Sequence, residues 1–131
     1  MHFAIHLKTS KFDISKEDEN PINPIYGQSL LVWLKCELKD NIEISEIDAE
    51  DWGWYCFTEY NGSTYMLGAS CFFEEGDDPN SELEWVFQVD KHRSFKDKLL
   101  GKNKMTIDDE CLIFFRGVLE KASDINVLSI E

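Results

Sequence analysis

Asn61-Gly62, set between two runs of alternating side chains, constrains this chain more than any other pair of residues. A two-residue hairpin turn needs positive φ at both central positions, which Asn and Gly tolerate at little cost. Gly53 to Tyr60 and Ser63 to Phe72 are therefore expected to pair as antiparallel strands. A tight turn sets Tyr60 opposite Ser63, Thr58 opposite Tyr65, Cys56 opposite Leu67 and Trp54 opposite Ala69. One face is then Trp54, Cys56, Thr58, Tyr60, Tyr65, Leu67 and Ala69. The other is Tyr55, Phe57, Glu59, Thr64, Met66, Gly68 and Ser70. Both faces carry large apolar groups, so both call for cover, by helices or by a partner.

Around this hairpin, hydrophobic periodicity assigns the remaining elements. Phe3, Ile5 and Leu7 alternate with polar neighbours over residues 2–9, a strand. Ser10 to Asn23 is a polar loop, and Asn23 with Pro24 predicts a helix start. That helix runs to about Lys39, with Leu30, Leu31, Leu34 and Leu38 on one stripe and Trp33 at its edge. Ile42, Ile44 and Ile47 suggest an irregular strand, and Glu74 to Glu82 an acidic loop. Leu83, Trp85, Phe87 and Val89 alternate as a strand, followed by a short helical turn at Ser94 to Leu100. Thr106 with Asp109 resembles a capping box. The helix after it buries Ile107, Cys111, Phe115, Val118, Leu119 and Ala122, and Ile125 to Ile130 closes as a strand. The order β-α-β-β-β-β-α-β predicts one α+β domain over residues 1–131. Its architecture is a mainly antiparallel sheet of five to six strands covered by two amphipathic helices.

At 131 residues, 43% of them hydrophobic, the chain can bury a core of its own. Its longest uninterrupted apolar stretches, Leu30 to Leu34 and Cys111 to Phe115, are five residues each, against roughly 20 for a membrane span. Residues 1–8 place no basic residue ahead of an apolar run and read as a strand, not a signal peptide. A cytoplasmic protein is expected, with Cys36, Cys56, Cys71 and Cys111 as reduced, buried thiols.

Charge excludes more. Twenty-six acids face thirteen Lys and Arg, a net charge of −13. Lys91 to Lys104 holds six of the bases and one acid, so the rest of the chain carries 25 acids against 7 bases, a net −18. Such a field repels nucleic acid and anionic membranes and attracts basic proteins. The basic stretch itself invites an anion site, but Asp108, Asp109 and Glu110 at the start of the next helix oppose one.

No catalytic signature is present: the chain contains no Gly-x-Ser-x-Gly, His-Glu-x-x-His or Gly-x-Gly-x-x-Gly. Gly101-Lys102 is not a phosphate loop, because Lys96 stands where the first glycine is needed. His2 and His6 share a strand face about 13 Å apart, too far to bind one zinc at about 2 Å each. Glu74 to Glu82 lacks the alternating ligand register of a calcium loop. No enzyme activity, metal or cofactor is expected.

The acids collect in two places. Glu43, Glu46, Asp48, Glu50 and Asp51 lead into the hairpin; Glu74, Glu75, Asp77, Asp78, Glu82 and Glu84 follow its far strand. Extending the register sets Trp52 opposite Cys71, so both segments meet one end of the hairpin. Rigid Trp and Tyr groups beside negative charge suit capture of a basic surface. The candidate partner-binding residues are Glu46, Asp48, Glu50, Asp51, Trp52, Tyr60, Glu74, Glu75, Asp77 and Asp78. The alternative is a small-ligand or regulatory domain using the aromatic hairpin face as a pocket wall.

Glu50-Asp51-Trp52-Gly53-Trp54-Tyr55, after a Leu- and Trp-bearing helix and before Tyr65-x-x-Gly68, resembles small acidic bacterial immunity proteins of polymorphic and contact-dependent toxin systems. The likeness runs from Leu30 to Gly68, with an echo at Trp85 and Leu99-Leu100-Gly101. It implies a non-enzymatic cytoplasmic protein, monomer or homodimer, that binds and blocks a cognate basic toxin domain, often a nuclease. It assigns no residue roles.

Overall fold

The computed structural model describes residues 2–131, His2 by its backbone alone. Six antiparallel strands form one sheet: β1 (His2–Thr9), β2 (Asp48–Glu50), β3 (Gly53–Tyr60), β4 (Ser63–Phe72), β5 (Leu83–Lys91) and β6 (Ile125–Ile130), in the spatial order β2-β3-β4-β5-β1-β6. Three helices complete the α+β fold: α1 (Gln28–Glu37), α2 (Phe95–Leu100) and α3 (Glu110–Lys121). The β3–β4 register is the one the turn demands, Tyr60 opposite Ser63 through Trp54 opposite Ala69. Asn61 and Gly62 both take positive φ, 49° and 82°.

One face of the sheet is sealed. Ile5, Leu7, Trp54, Cys56, Leu67, Ala69, Trp85, Phe87 and Val89 point into a core closed by Leu30, Leu31 and Leu34 of α1 and Cys111, Leu112, Phe115 and Leu119 of α3. The fully buried Phe87 and Phe115 rings meet at 5.4 Å. Tyr65 on β4 donates from its hydroxyl to Asp109 at 2.9 Å. Asp109 in turn accepts from the backbone N–H groups of Cys111 and Leu112, so one carboxylate caps α3 and ties it to the sheet. Burial first, and this bond second, push the Tyr65 hydroxyl pKa well above its ordinary value.

Helix starts differ from expectation. α3 begins at Asp109 rather than Thr106, and Ile107 is exposed, because the Asp109 side chain is the actual cap. α1 begins at Gln28, not Pro24: Tyr26 uses its carbonyl to accept from Cys71 N–H at the end of β4, so residues 24–26 are tied to the sheet instead of entering the helix. The N-terminus of α1 is satisfied from a distance in sequence. Glu17 accepts from the N–H groups of Gly27 (2.9 Å), Gln28 (3.1 Å) and Ser29 (2.9 Å), placing negative charge where the helix dipole favours it. The irregular strand expected at Ile42, Ile44 and Ile47 is reduced to an isolated bridge between Ile44 and Thr58; the strand β2 forms after it, at Asp48–Glu50, with a one-residue slip between the two pairings. Cys56, Cys71 and Cys111 are buried and their thiols pushed up to about 12 by burial, whereas Cys36, expected inside, is exposed on α1.

Glu17→Ala should cost about 2 kcal/mol in urea denaturation, since three charge-assisted bonds to a helix end are lost. Glu19→Ala, at an exposed position two residues on, should change stability by less than about 0.5 kcal/mol.

Candidate functional site

Among the described residues, the other face of the sheet carries no helix. It presents Tyr55, Phe57, Met66, Ser70, Phe72, Val86 and Gln88, half-buried or exposed, from the three central hairpin strands. Phe57 and Phe72 are 45% and 54% exposed, values that mark them as surface rather than core. Tyr55 and Phe57 meet edge to face at 5.7 Å. An antiparallel sheet normally gives such a face to polar side chains, so a run of large apolar groups there marks the candidate site.

Trp52 organises this face. Glu50 pairs with Gly53, so Asp51 and Trp52 form a two-residue turn between β2 and β3. Trp52 is therefore not a strand residue opposite Cys71; the turn folds its ring back over the helix-free face. There it lies above Gly68, the residue between Tyr55 on β3 and Gln88 on β5. A Cβ at position 68 would stand 2.6 Å from Trp52 Cη2 and 2.8 Å from Gln88 Cγ. Only a glycine leaves the dimple that the indole enters, which is the close-approach role of a glycine within a strand. Asn20, buried in the loop before α1, braces the turn by donating to the carbonyls of Glu50 and Gly53, each at 3.0 Å. Its own carbonyl accepts from Ile22 and Asn23 N–H.

Depressions flank the indole. One, of about 490 Å³, is lined by Glu50, Trp52, Tyr55, Met66, Ser70 and Gln88. A second, of about 340 Å³, runs from Trp52 past Ser70 and Phe72 to Glu74. The two acidic segments thus converge on Trp52, one from β2 and the other from the end of β4. Glu46, Asp51, Glu75, Asp77 and Asp78 are exposed farther out, and Asp48 stands on the edge strand opposite Tyr55. Asp77 and Asp78 also fold their loop, accepting from Glu74 N–H and Asn80 N–H, both at 2.9 Å. Among the described residues, none of these eight carboxylates lies within 4.0 Å of a basic nitrogen. Their charge is uncompensated.

Tyr60 stands apart. It lies near the Asn61-Gly62 turn, six residues or roughly 20 Å along β3 from Trp54, on the helix-covered side against Phe114 of α3 at 5.4 Å. Trp54 is core, its indole N–H donating to the Ile25 carbonyl. Sequence reasoning did not single out Met66, Gly68, Ser70 and Gln88 as site residues. The isolated glycine within a strand pattern was the available signal.

The basic stretch occupies the opposite end of the molecule. Lys91 pairs with Tyr65, whereas Glu84 pairs with Phe72; seven residues along β4 separate the two ends, roughly 23 Å. Arg93 closes the basic loop on itself by donating to the Lys102 and Asp97 carbonyls. The described residues contain no group of three or more His, Cys, Asp or Glu able to hold a metal ion, and no helix long and apolar enough to cross a membrane.

The fold and site together define an α+β protein with one sheet face sealed by helices and the other left apolar and acid-rimmed. No protein-family model, curated protein or solved structure matches the chain.

Gly68→Ala should lift the indole from its seat and shift tryptophan emission to longer wavelength, with stability changed by no more than about 1 kcal/mol. The shift should vanish when the same change is made in a Trp52→Phe background.

Proposed function

We propose that this chain is a non-enzymatic inhibitor of the immunity type, which neutralises a cognate basic toxin domain by covering it with the helix-free sheet face. The observation that carries the reading is Trp52, held over Gly68 with Glu50 in the depression on one side and Glu74 in the depression on the other. Negative charge around a rigid ring gives both halves of protein capture. The field of a −13 chain speeds encounter with a cationic surface, and a flat aromatic anchor becomes valuable once water is excluded around it. Surplus carboxylates with no internal partner cost stability through mutual repulsion, and an incoming cationic surface relieves that cost.

The small-ligand reading is less well supported. Both depressions lie open on the surface with a carboxylate in the wall, which suits a charged protein group better than an enclosed apolar ligand. The proposed partner is a basic protein, not nucleic acid, whose phosphates the acidic rim repels.

Co-expression tests the proposal. The basic product of the neighbouring gene should co-purify with this chain, and its toxicity should fall when the chain is present. Trp52→Ala should weaken the complex by about 2 kcal/mol or more, as expected of a central anchor, and affinity should drop as salt is raised. Equal killing with and without this chain would refute the reading.

A further inference from the structure

We infer that the larger depression beside Trp52 receives an arginine side chain of the basic partner. This rests on the inhibitor reading above and names what its central contact recognises. The depression, about 490 Å³, is walled on one side by the Trp52 indole and on others by Tyr55 and Met66, with the Glu50 carboxylate at its margin. Glu50 Oε1 accepts from Asp51 N–H at 2.9 Å, which fixes the carboxylate while Oε2 keeps its acceptor capacity. Ser70 and Gln88 add neutral hydrogen-bonding groups, and no Lys or Arg is among the lining residues. Neighbouring positions on the same face add more negative charge: Asp48 opposite Tyr55, and Asp90 opposite Met66.

A ring face, a thioether and a carboxylate in one depression match the guanidinium in particular. Its plane stacks on an indole while its edge donates to a carboxylate in a fork, and its stem lies along apolar walls. An ammonium is a compact, strongly hydrated point charge that satisfies only part of this. A phosphate or carboxylate ligand would meet Glu50, Asp48 and Asp90 and be repelled. Gly68 belongs to the same design. With a Cβ there, Trp52 could not lie against the sheet, and the wall of the depression would be lost.

The test uses the full chain and three synthetic nonapeptides of equal length carrying arginine, lysine or citrulline at alternate positions, titrated by tryptophan fluorescence and calorimetry. The arginine peptide should bind at least about 10-fold more tightly than the citrulline peptide and several-fold more tightly than the lysine peptide. Trp52→Leu and Glu50→Gln should each remove about 10-fold of the arginine affinity and bring it to or below the lysine level. Glu59→Gln, on the same face near the far end of β3, should change it little. If arginine and lysine peptides bind alike and neither Trp52→Leu nor Glu50→Gln matters, the arginine pocket is wrong while the acidic-rim reading stands. If no basic peptide binds the folded wild-type chain, both fail. Glu50→Gln keeps the size and shape of the side chain, so a folding defect in Trp52→Leu would not leave the pocket undecided.

Discussion

The pairing of β3 with β4, fixed by the Asn61-Gly62 turn, is the constraint on which the rest of the structure depends. Side chains alternate along a strand, so a slip of one residue would exchange the two faces. With β4 held in place, Trp54 and Cys56 of β3 would then point to solvent, and Tyr55 and Phe57 beneath α1. The observed register instead puts Trp54, Cys56, Tyr65 and Leu67 under the helices and leaves Tyr55, Phe57 and Met66 on the helix-free face. It also puts Gly68 at the centre of the helix-free face, between Tyr55 and Gln88, where Trp52 needs it.

A second consequence is electrical. The sheet is long enough to hold opposite charges apart: Lys91 and the basic loop at one end of β5, Glu82 and Glu84 at the other. About 23 Å of strand between them exceeds twice the screening length of about 8 Å at physiological salt. The negative field at the acidic end is therefore little cancelled by the basic end. The loop before α1, rich in polar residues, ties this end together by hydrogen bonds. Glu17 in it caps α1, and Asn20 braces the turn that carries Trp52.

Much of this was legible in the sequence. Alternation over residues 2–9, 53–72 and 83–89 identified the strands, and Asn61-Gly62 fixed one register, because period and turn chemistry are local properties. The gathering of acids beside Trp52 could also be read, since that same register carries both segments to one end. What was not legible depends on contacts between distant residues. Nothing local says that Glu17 caps a helix eleven residues away, so Pro24 looked like a helix start. Nothing local distinguishes Thr106 from Asp109 as the cap of α3, because the choice turns on Asp109 also reaching the hydroxyl of Tyr65, 44 residues earlier. Tyr60 shares a face with Trp54 by parity, yet nothing local says that α3 closes over that face and sets Phe114 against the Tyr60 ring. Extending the register sets Trp52 opposite Cys71, because β2 is only three residues long and its alternation too short to signal the β2–β3 turn.

The claim at the centre is that a cationic protein surface seats on the helix-free face around Trp52. Backbone amide shift mapping of the isotope-labelled chain, titrated with an inactivated form of the proposed basic partner, reads the location directly. Perturbations should concentrate at residues 48–57, 66–74 and 86–90, with α1 and α3 silent. Perturbations centred on α2 and α3, or spread evenly over both faces, would contradict it.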